Sequence, residues 1–186
     1  MKFSPSKILP EVLLIEPDIF KDNRGYFLET YRAKKYAEHG IPAQFVQDNR
    51  SQSIRGVIRG LHYQINMPQA KLIWVVDGEI MDVAVDIRKG SPAFGKWTSA
   101  ILSSDNFHQI FIPEGFAHGF CVISKTATFM YKCTNYYDPE SEHGILWNDP
   151  FLGIEWPVSQ PILSEKDKNN PSLQEIPEEY LPFYID

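Results

Sequence analysis

A chain of 186 residues, 43% of them hydrophobic and 13% aromatic, has the material for a core of one-domain size and does not read as disordered. The formal net charge is -6, from 18 Lys and Arg against 24 Asp and Glu. No basic run interleaves with aromatics, so nucleic-acid binding is not expected, and no apolar run reaches the roughly 18 residues of a membrane span.

The first ten residues lack the charged-then-apolar pattern of a secretory leader. Cys121 and Cys133 fall in candidate strands, and the expectation is two buried free thiols in a cytoplasmic protein. Residues 8–15 are short, apolar and punctuated by Pro10 and Pro17, which reads as an edge or arm strand. Asp22, Asn23, Arg24 and Gly25 make a turn, and residues 26–30 resume an extended run. Residues 33–39, closed by Gly40, are the best helix candidate, in the role of a lid or bracket.

From Gln44 the pattern turns to strands. Residues 54–63, 71–76, 79–86, 97–102, 109–112, 120–123 and 126–133 are each short and β-branched or aromatic. Turn signals separate them, and Val76-Asp77-Gly78-Glu79 reads as a short hairpin. After Tyr137 the chain is first polar, then mixes aromatics with Gly, Asp and Pro. It ends in a charged stretch at 164–171 and a tail at 173–186. The expected architecture is all-β: one domain over residues 1–186, a jelly-roll β-sandwich or barrel with short peripheral helices. An N-terminal arm strand and a C-terminal wrapping segment complete it, with the ligand site at one open mouth.

The densest chemistry is Arg59-Gly60-Leu61-His62-Tyr63-Gln64, where a fixed charge stands near an ionisable base. Strict alternation puts Arg59 and His62 on opposite faces of a strand. Both reach one cavity only if the strand bulges, ends or twists near Gly60, which a glycine permits. In residues 113–120 a proline-glycine turn delivers His118 to a cavity rim just before a strand. In residues 126–133 alternation gives Tyr131 the face of Ala127, Phe129 and Cys133, an apolar setting for a phenol. Arg24, Arg59 and Lys71 offer donors to an anion, and with Gln47, Asn49 and Glu29 they look like the polar side of a sugar-ligand cleft.

A metal site in such a barrel wants a closely spaced His-x-His, a following Glu and a distant His. Gln64 stands where the second His would be, so no metal is expected. No GxGxxG fingerprint or P-loop is present, so neither nicotinamide nor ATP is expected.

These stretches resemble, in order and through nearly the whole chain, the dTDP-4-dehydrorhamnose 3,5-epimerase family of cupin-fold enzymes. The matching pieces include DNRGYFLE at 22–29, QDN at 47–49, GVIRGLHYQ at 56–64 and VAVDIR at 83–88. They continue with PEGFAHGF at 113–120, YK at 131–132, WNDPFLG at 147–153 and SEKD at 164–167. The resemblance implies a cupin fold, a dTDP-sugar substrate, no cofactor, and a homodimer with N-terminal strand pairing. It implies His62 as proton acceptor, oriented by Asp167, Tyr131 as proton donor on the opposite face of the sugar ring, and Lys71 beside the 4-keto oxygen. Arg24, Glu29, Gln47, Asn49, Arg59, His118, Glu142 and Lys166 would contact the nucleotide, diphosphate or sugar.

The implied chemistry suits these residue types. A 4-keto group acidifies the C–H bonds at C3 and C5, and a nearby cation stabilises the enolate left when a base removes either proton. Inversion then needs an acid on the other face. A sister enzyme that inverts one centre would use the same set. A non-catalytic sugar-nucleotide binder would have no use for His62, Asp167 and Tyr131 together, and a metal cupin would need ligands that this chain lacks.

Overall fold

The computed structural model describes residues 1–42 and 44–185, leaving Asp186 of the C-terminal tail outside the described residues, and it consists of two antiparallel sheets packed face to face. The first sheet has the order β1 (Lys2–Pro5), β2 (Leu13–Glu16), β10 (Gln109–Ile112), β7 (Lys71–Asp77), β12 (Thr126–Cys133) and β5 (Gln47–Ile54). The second runs β13 (Glu142–Gly144), β6 (Ile58–Gln64), β11 (Phe116–Val122), β8 (Glu79–Asp86) and β9 (Trp97–Ser103). A separate hairpin pairs β3 (Ile19–Asp22) with β4 (Gly25–Leu28). Helices are short: α1 (Ala33–Ala37), α2 (Glu165–Lys168) and two 3₁₀ turns, Leu173–Glu175 and Glu178–Tyr180. The chain is the all-β, cupin-like jelly roll that its alternating short strands foretell.

Alternation decides what each face buries. Ile73 and Val75 of β7 and Ala127 and Phe129 of β12 face Ile80, Ala84, Phe116, Phe120 and Val122 of the second sheet. The Phe120 and Phe129 rings meet edge to face at 4.5 Å. The outer face of the second sheet, Leu61, Met81, Val83 and Val85, is covered by Ile145, Leu152, Ile154, Leu173 and Ile176 from the C-terminal segment. Parallel bridges from Val57 to Ile162 and from Lys89 to Phe183 tie that segment down. Sheathed on both faces, β8 is almost wholly buried. On the first sheet α1 is a bracket: Tyr36 is buried and its single hydroxyl proton lies between two acceptors, the Thr30 carbonyl (2.9 Å) and Gln109 Oε1 (2.8 Å).

Four local expectations are corrected. Residues 8–15 are not one strand: Leu9 and Val12 are apolar because a turn, closed by the Val12 N–H to the Leu9 carbonyl (2.9 Å), points them into the core. Residues 54–63 break at the Arg55-Gly56 turn, and the strand before it, β5, was hidden by its polar composition. Asp77-Gly78 is no hairpin, since β7 and β8 lie in different sheets. It is a corner where Gly78, at φ +83°, leaves no room for a Cβ, which would lie 2.1 Å from the Thr126 carbonyl oxygen. Finally, β11 begins at Phe116, so His118 sits within the strand.

Gly60 has φ +119°, and a Cβ there would lie 2.5 Å from Gly119 Cα on β11. Across from it, the β6–β11 register shifts between His118 and Phe120. Gly60→Ala is therefore expected to lower unfolding free energy by about 1–3 kcal/mol in urea titrations. An unchanged midpoint and slope would contradict this packing.

Candidate active site

Between the sheets, a cleft of about 370 Å³ opens beside the site residues. From β5 it takes Gln47, Asn49 and Ser51, one face of a strand whose alternate residues face solvent; this two-sided wetness explains its polar sequence. From β7 and β12 it takes Lys71, Phe129 and Tyr131. From the second sheet come Arg59 and His62 of β6, His118 of β11 and Glu142 of β13. Arg59 and His62 thus share the cleft despite their three-residue spacing, and the irregularity that permits it lies at Gly60.

His62 is fixed from behind. Its Nε2–H donates to the Asp167 carboxylate Oδ1 at 2.6 Å, which in the neutral ring leaves the lone pair on Nδ1, 4.0 Å from Glu142 Oε1. Asp167 is buried on α2, and its N–H donates to Ser164 Oγ at 3.1 Å. Burial works to raise the Asp167 carboxyl, but the His62 hydrogen bond and charge, Ser164 and Lys166 hold it below its ordinary 3.8. Glu142 receives hydrogen bonds from Lys166 Nζ and from the Tyr137 hydroxyl (3.1 Å). Against the effect of burial, Lys166, His62 and Tyr137 keep its carboxyl below the usual range.

The facing sheet supplies the complementary groups. Burial pushes the Tyr131 phenol up; Cys133, Glu142 and Tyr137 add to this while Arg59 opposes it, so the phenol holds its proton at neutral pH. Burial pushes the Lys71 ammonium down, against Cys133, Asp82 and Glu142, and Lys71 has no hydrogen bond or ion pair among the described residues. His118 Nε2 lies in hydrogen-bond contact with the buried Asp82 Oδ2 at 2.9 Å. Burial still carries that imidazole below its ordinary value, with Asp82 opposing and Lys71 and His62 assisting.

Two expected contacts fall elsewhere. Arg24, 85% exposed at the tip of the β3–β4 hairpin, pairs with Asp22 at 2.6 Å, and Glu29 pairs with Arg32 at 2.6 Å; neither lines this chain's cleft. Lys166 stands beside the cleft through Glu142. Gln64, which replaces a metal-binding histidine, braces the rim instead. It donates to the Met67 (2.7 Å) and Tyr136 (3.2 Å) carbonyls and accepts from the Asp138 N–H (3.0 Å).

Sequence reasoning missed Asp82, although a carboxylate between Met81 and Val83 in the apolar middle of β8 was its signal. It also gave no role to Tyr137. Cys121 and Cys133 are free and buried. No helix among the described residues is long and apolar enough to cross a membrane.

Comparison with known proteins adds a consistent set of likenesses. The family model described as dTDP-4-dehydrorhamnose 3,5-epimerase matches residues 6–175. A dTDP-4-dehydrorhamnose 3,5-epimerase of Shigella flexneri is 54% identical over 163 residues, covering 87% of this chain and 90% of that protein. One of Neisseria gonorrhoeae is 54% identical over 160 residues, or 86% of this chain, which spans only 49% of that longer protein. Among solved structures, the dTDP-6-deoxy-D-glucose-3,5-epimerase of Legionella pneumophila, in complex with dTDP-4-keto-L-rhamnose, superposes with a TM-score of 0.96. It is 51% identical, with 100% of this chain and 99% of that one covered.

The depressed Asp167 value sets a pH dependence. Its contribution to stability is complete above the unfolded value of 3.8 and is lost as pH falls through the lower folded value. Unfolding free energies of wild type and Asp167→Asn should differ most above about pH 4 and converge at lower pH. A difference that stays constant down to pH 2 would rule out the ion pair as its source.

Proposed function

The chain belongs to the dTDP-4-dehydrorhamnose 3,5-epimerase family of isomerases, and on that premise we propose that it inverts C3 and C5 of dTDP-4-dehydro-6-deoxy-D-glucose to give dTDP-4-dehydro-L-rhamnose. The observation that carries this reading is an Asp167-held His62 on one sheet facing Tyr131 and Lys71 on the other across a single cleft. His62 Nδ1 removes the proton beside the ketone, and the C–H electron pair moves to the 4-keto oxygen as an enolate. Lys71, in a partly dehydrated cleft, stabilises that oxygen. Tyr131 then gives its proton to the carbon from the opposite face, and the imidazolium and tyrosinate reset by proton exchange with solvent. The ketone already acidifies both positions, so this route uses no metal or redox cofactor.

Gln47, Asn49, Arg59, His118, Glu142 and Lys166 hold the sugar and its dTDP portion, with Arg59 the forked donor suited to diphosphate oxygens. Arg24 and Glu29 join the site through a homodimer. An isolated two-stranded hairpin is marginal in water, and this one exposes Phe20 (63%), Tyr26 (58%) and Phe27 (69%). A second copy covers those rings and receives the hairpin's polar residues at its cleft, so sedimentation at twice the chain mass is the expected result. The 186 residues work as one domain, and buried thiols with a nucleotide-sugar substrate suit a reducing cytoplasm.

His62→Ala should slow solvent-deuterium exchange at C3 and C5 by about 100- to 10,000-fold, followed by proton NMR. Exchange near the wild-type rate would remove His62 from the role of base. Tyr131→Phe should slow completed inversion more than initial deuterium wash-in. Equal losses in both would place Tyr131 in substrate positioning rather than proton return.

A further inference from the structure

Of the buried carboxylates outside the proton-transfer scheme, Asp86 is engaged by Arg88 and Ser91 and Asp149 by backbone N–H groups, which leaves Asp82 without a comparable task. Asp82 is 0% exposed on β8, between Ile80 and Ala84, whose side chains belong to the inter-sheet core. A carboxylate at such a place is costly unless it is paired and hydrogen-bonded, and an apolar side chain would serve packing better. Yet Asp82 Oδ2 receives only His118 Nε2–H, and Oδ1 has no hydrogen-bond partner.

The groups around it define what the charge acts on. Across the cleft, on β7, stands Lys71. The groups that bear on Lys71 are Asp82 from β8, Glu142 from β13 and Cys133 from β12; those that bear on His118 of β11 are Asp82, Lys71 and His62 of β6. Glu142 is already engaged by Lys166 and Tyr137. Asp82 is thus the carboxylate bearing on Lys71 that no lysine or arginine neutralises among the described residues.

We propose that Asp82 is a positioning residue for the enolate-stabilising half of the cleft. It fixes His118 as the Nε2–H tautomer, leaving Nδ1 as the ring nitrogen available to substrate, and it supplies the buried negative charge against which Lys71 remains an ammonium ion. The tautomer follows from the bond to Asp82 alone, whereas the task of Lys71 rests on the epimerase reading. Removing the negative charge makes the lysine release its proton at lower pH. In the enzyme, that turns off the cation beside the keto oxygen while leaving the dTDP contacts in place.

Two measurements test this. Nitrogen-15 NMR of the wild-type histidine rings should show His118 protonated on Nε2 at neutral pH; protonation on Nδ1 alone overturns the proposal, and this readout needs no variant. Kinetics of Asp82→Asn should show kcat down about tenfold or more at neutral pH with KM changed less than about threefold. The alkaline limb of its kcat profile should move to lower pH, and Asp82→Glu should return it toward the wild-type position. An Asn variant whose alkaline limb stays in place overturns the proposal. A wild-type protein that exchanges no proton at C3 or C5 overturns the epimerase reading instead, while the tautomer stands or falls separately.

Discussion

Where β6 crosses β11, the two backbones approach so closely that neither Gly60 nor Gly119 has free room for a side chain. A Cβ on Gly60 would meet Gly119 Cα at 2.5 Å, and one on Gly119 would lie 3.0 Å from the Arg59 carbonyl oxygen. The β6–β11 register shifts at this crossing, and Arg59 and His62 both reach the cleft. The same crossing sets His62 opposite His118 on β11 and Gly144 on β13. Gly144 itself packs against Asn170, just beyond α2, so the helix that carries Asp167 sits directly behind the His62 ring. The site's geometry is therefore a consequence of backbone proximity between glycines as much as of its charged side chains.

The electrostatics divide along the two sheets. Two histidine–carboxylate pairs, His62 with Asp167 and His118 with Asp82, stand on the second sheet and its helix. The first sheet contributes a phenol and an ammonium group, both shifted by burial in the direction that disfavours their charged forms. A cleft built this way sets an imidazole on one sheet and a protonated phenol on the other, on opposite sides of the space between them. It also contains the Lys71 amine, and any charge that this amine carries acts more strongly in low-dielectric surroundings than in water. Water exclusion and charge placement act on the same residues.

Much of the architecture was legible because residues 79–86, 109–112 and 126–133 are short runs rich in apolar, β-branched or aromatic residues between turn signals, and they become strands with the same bounds. The failures have physical causes. Strand β5 carries QDNRSQSI because one face lines a polar cleft and the other meets water, so no hydrophobic alternation marks it. Leu9 and Val12 mimic a strand because a loop can bury apolar residues too. Asp77-Gly78 carries the local chemistry of a hairpin, but whether the next strand pairs in the same sheet or the opposite one is decided by distant partners. In the site, the cleft gathers His62, Lys71, His118, Tyr131 and Glu142 from separate stretches of chain. Their identities were readable; their convergence was expected from resemblance. Arg24 and Glu29 lie apart because no single chain folds its β3–β4 hairpin over its own cleft here.

Proton exchange by one cleft at both carbons flanking a ketone leaves a direct isotopic trace. The most direct test is to incubate the wild-type protein with dTDP-4-dehydro-6-deoxy-D-glucose in deuterium oxide, trap the product with a 4-ketoreductase, and assign it by NMR. Deuterium at both C3 and C5, with both centres inverted, is the predicted outcome. Deuterium and inversion at a single carbon, or at neither, would contradict it.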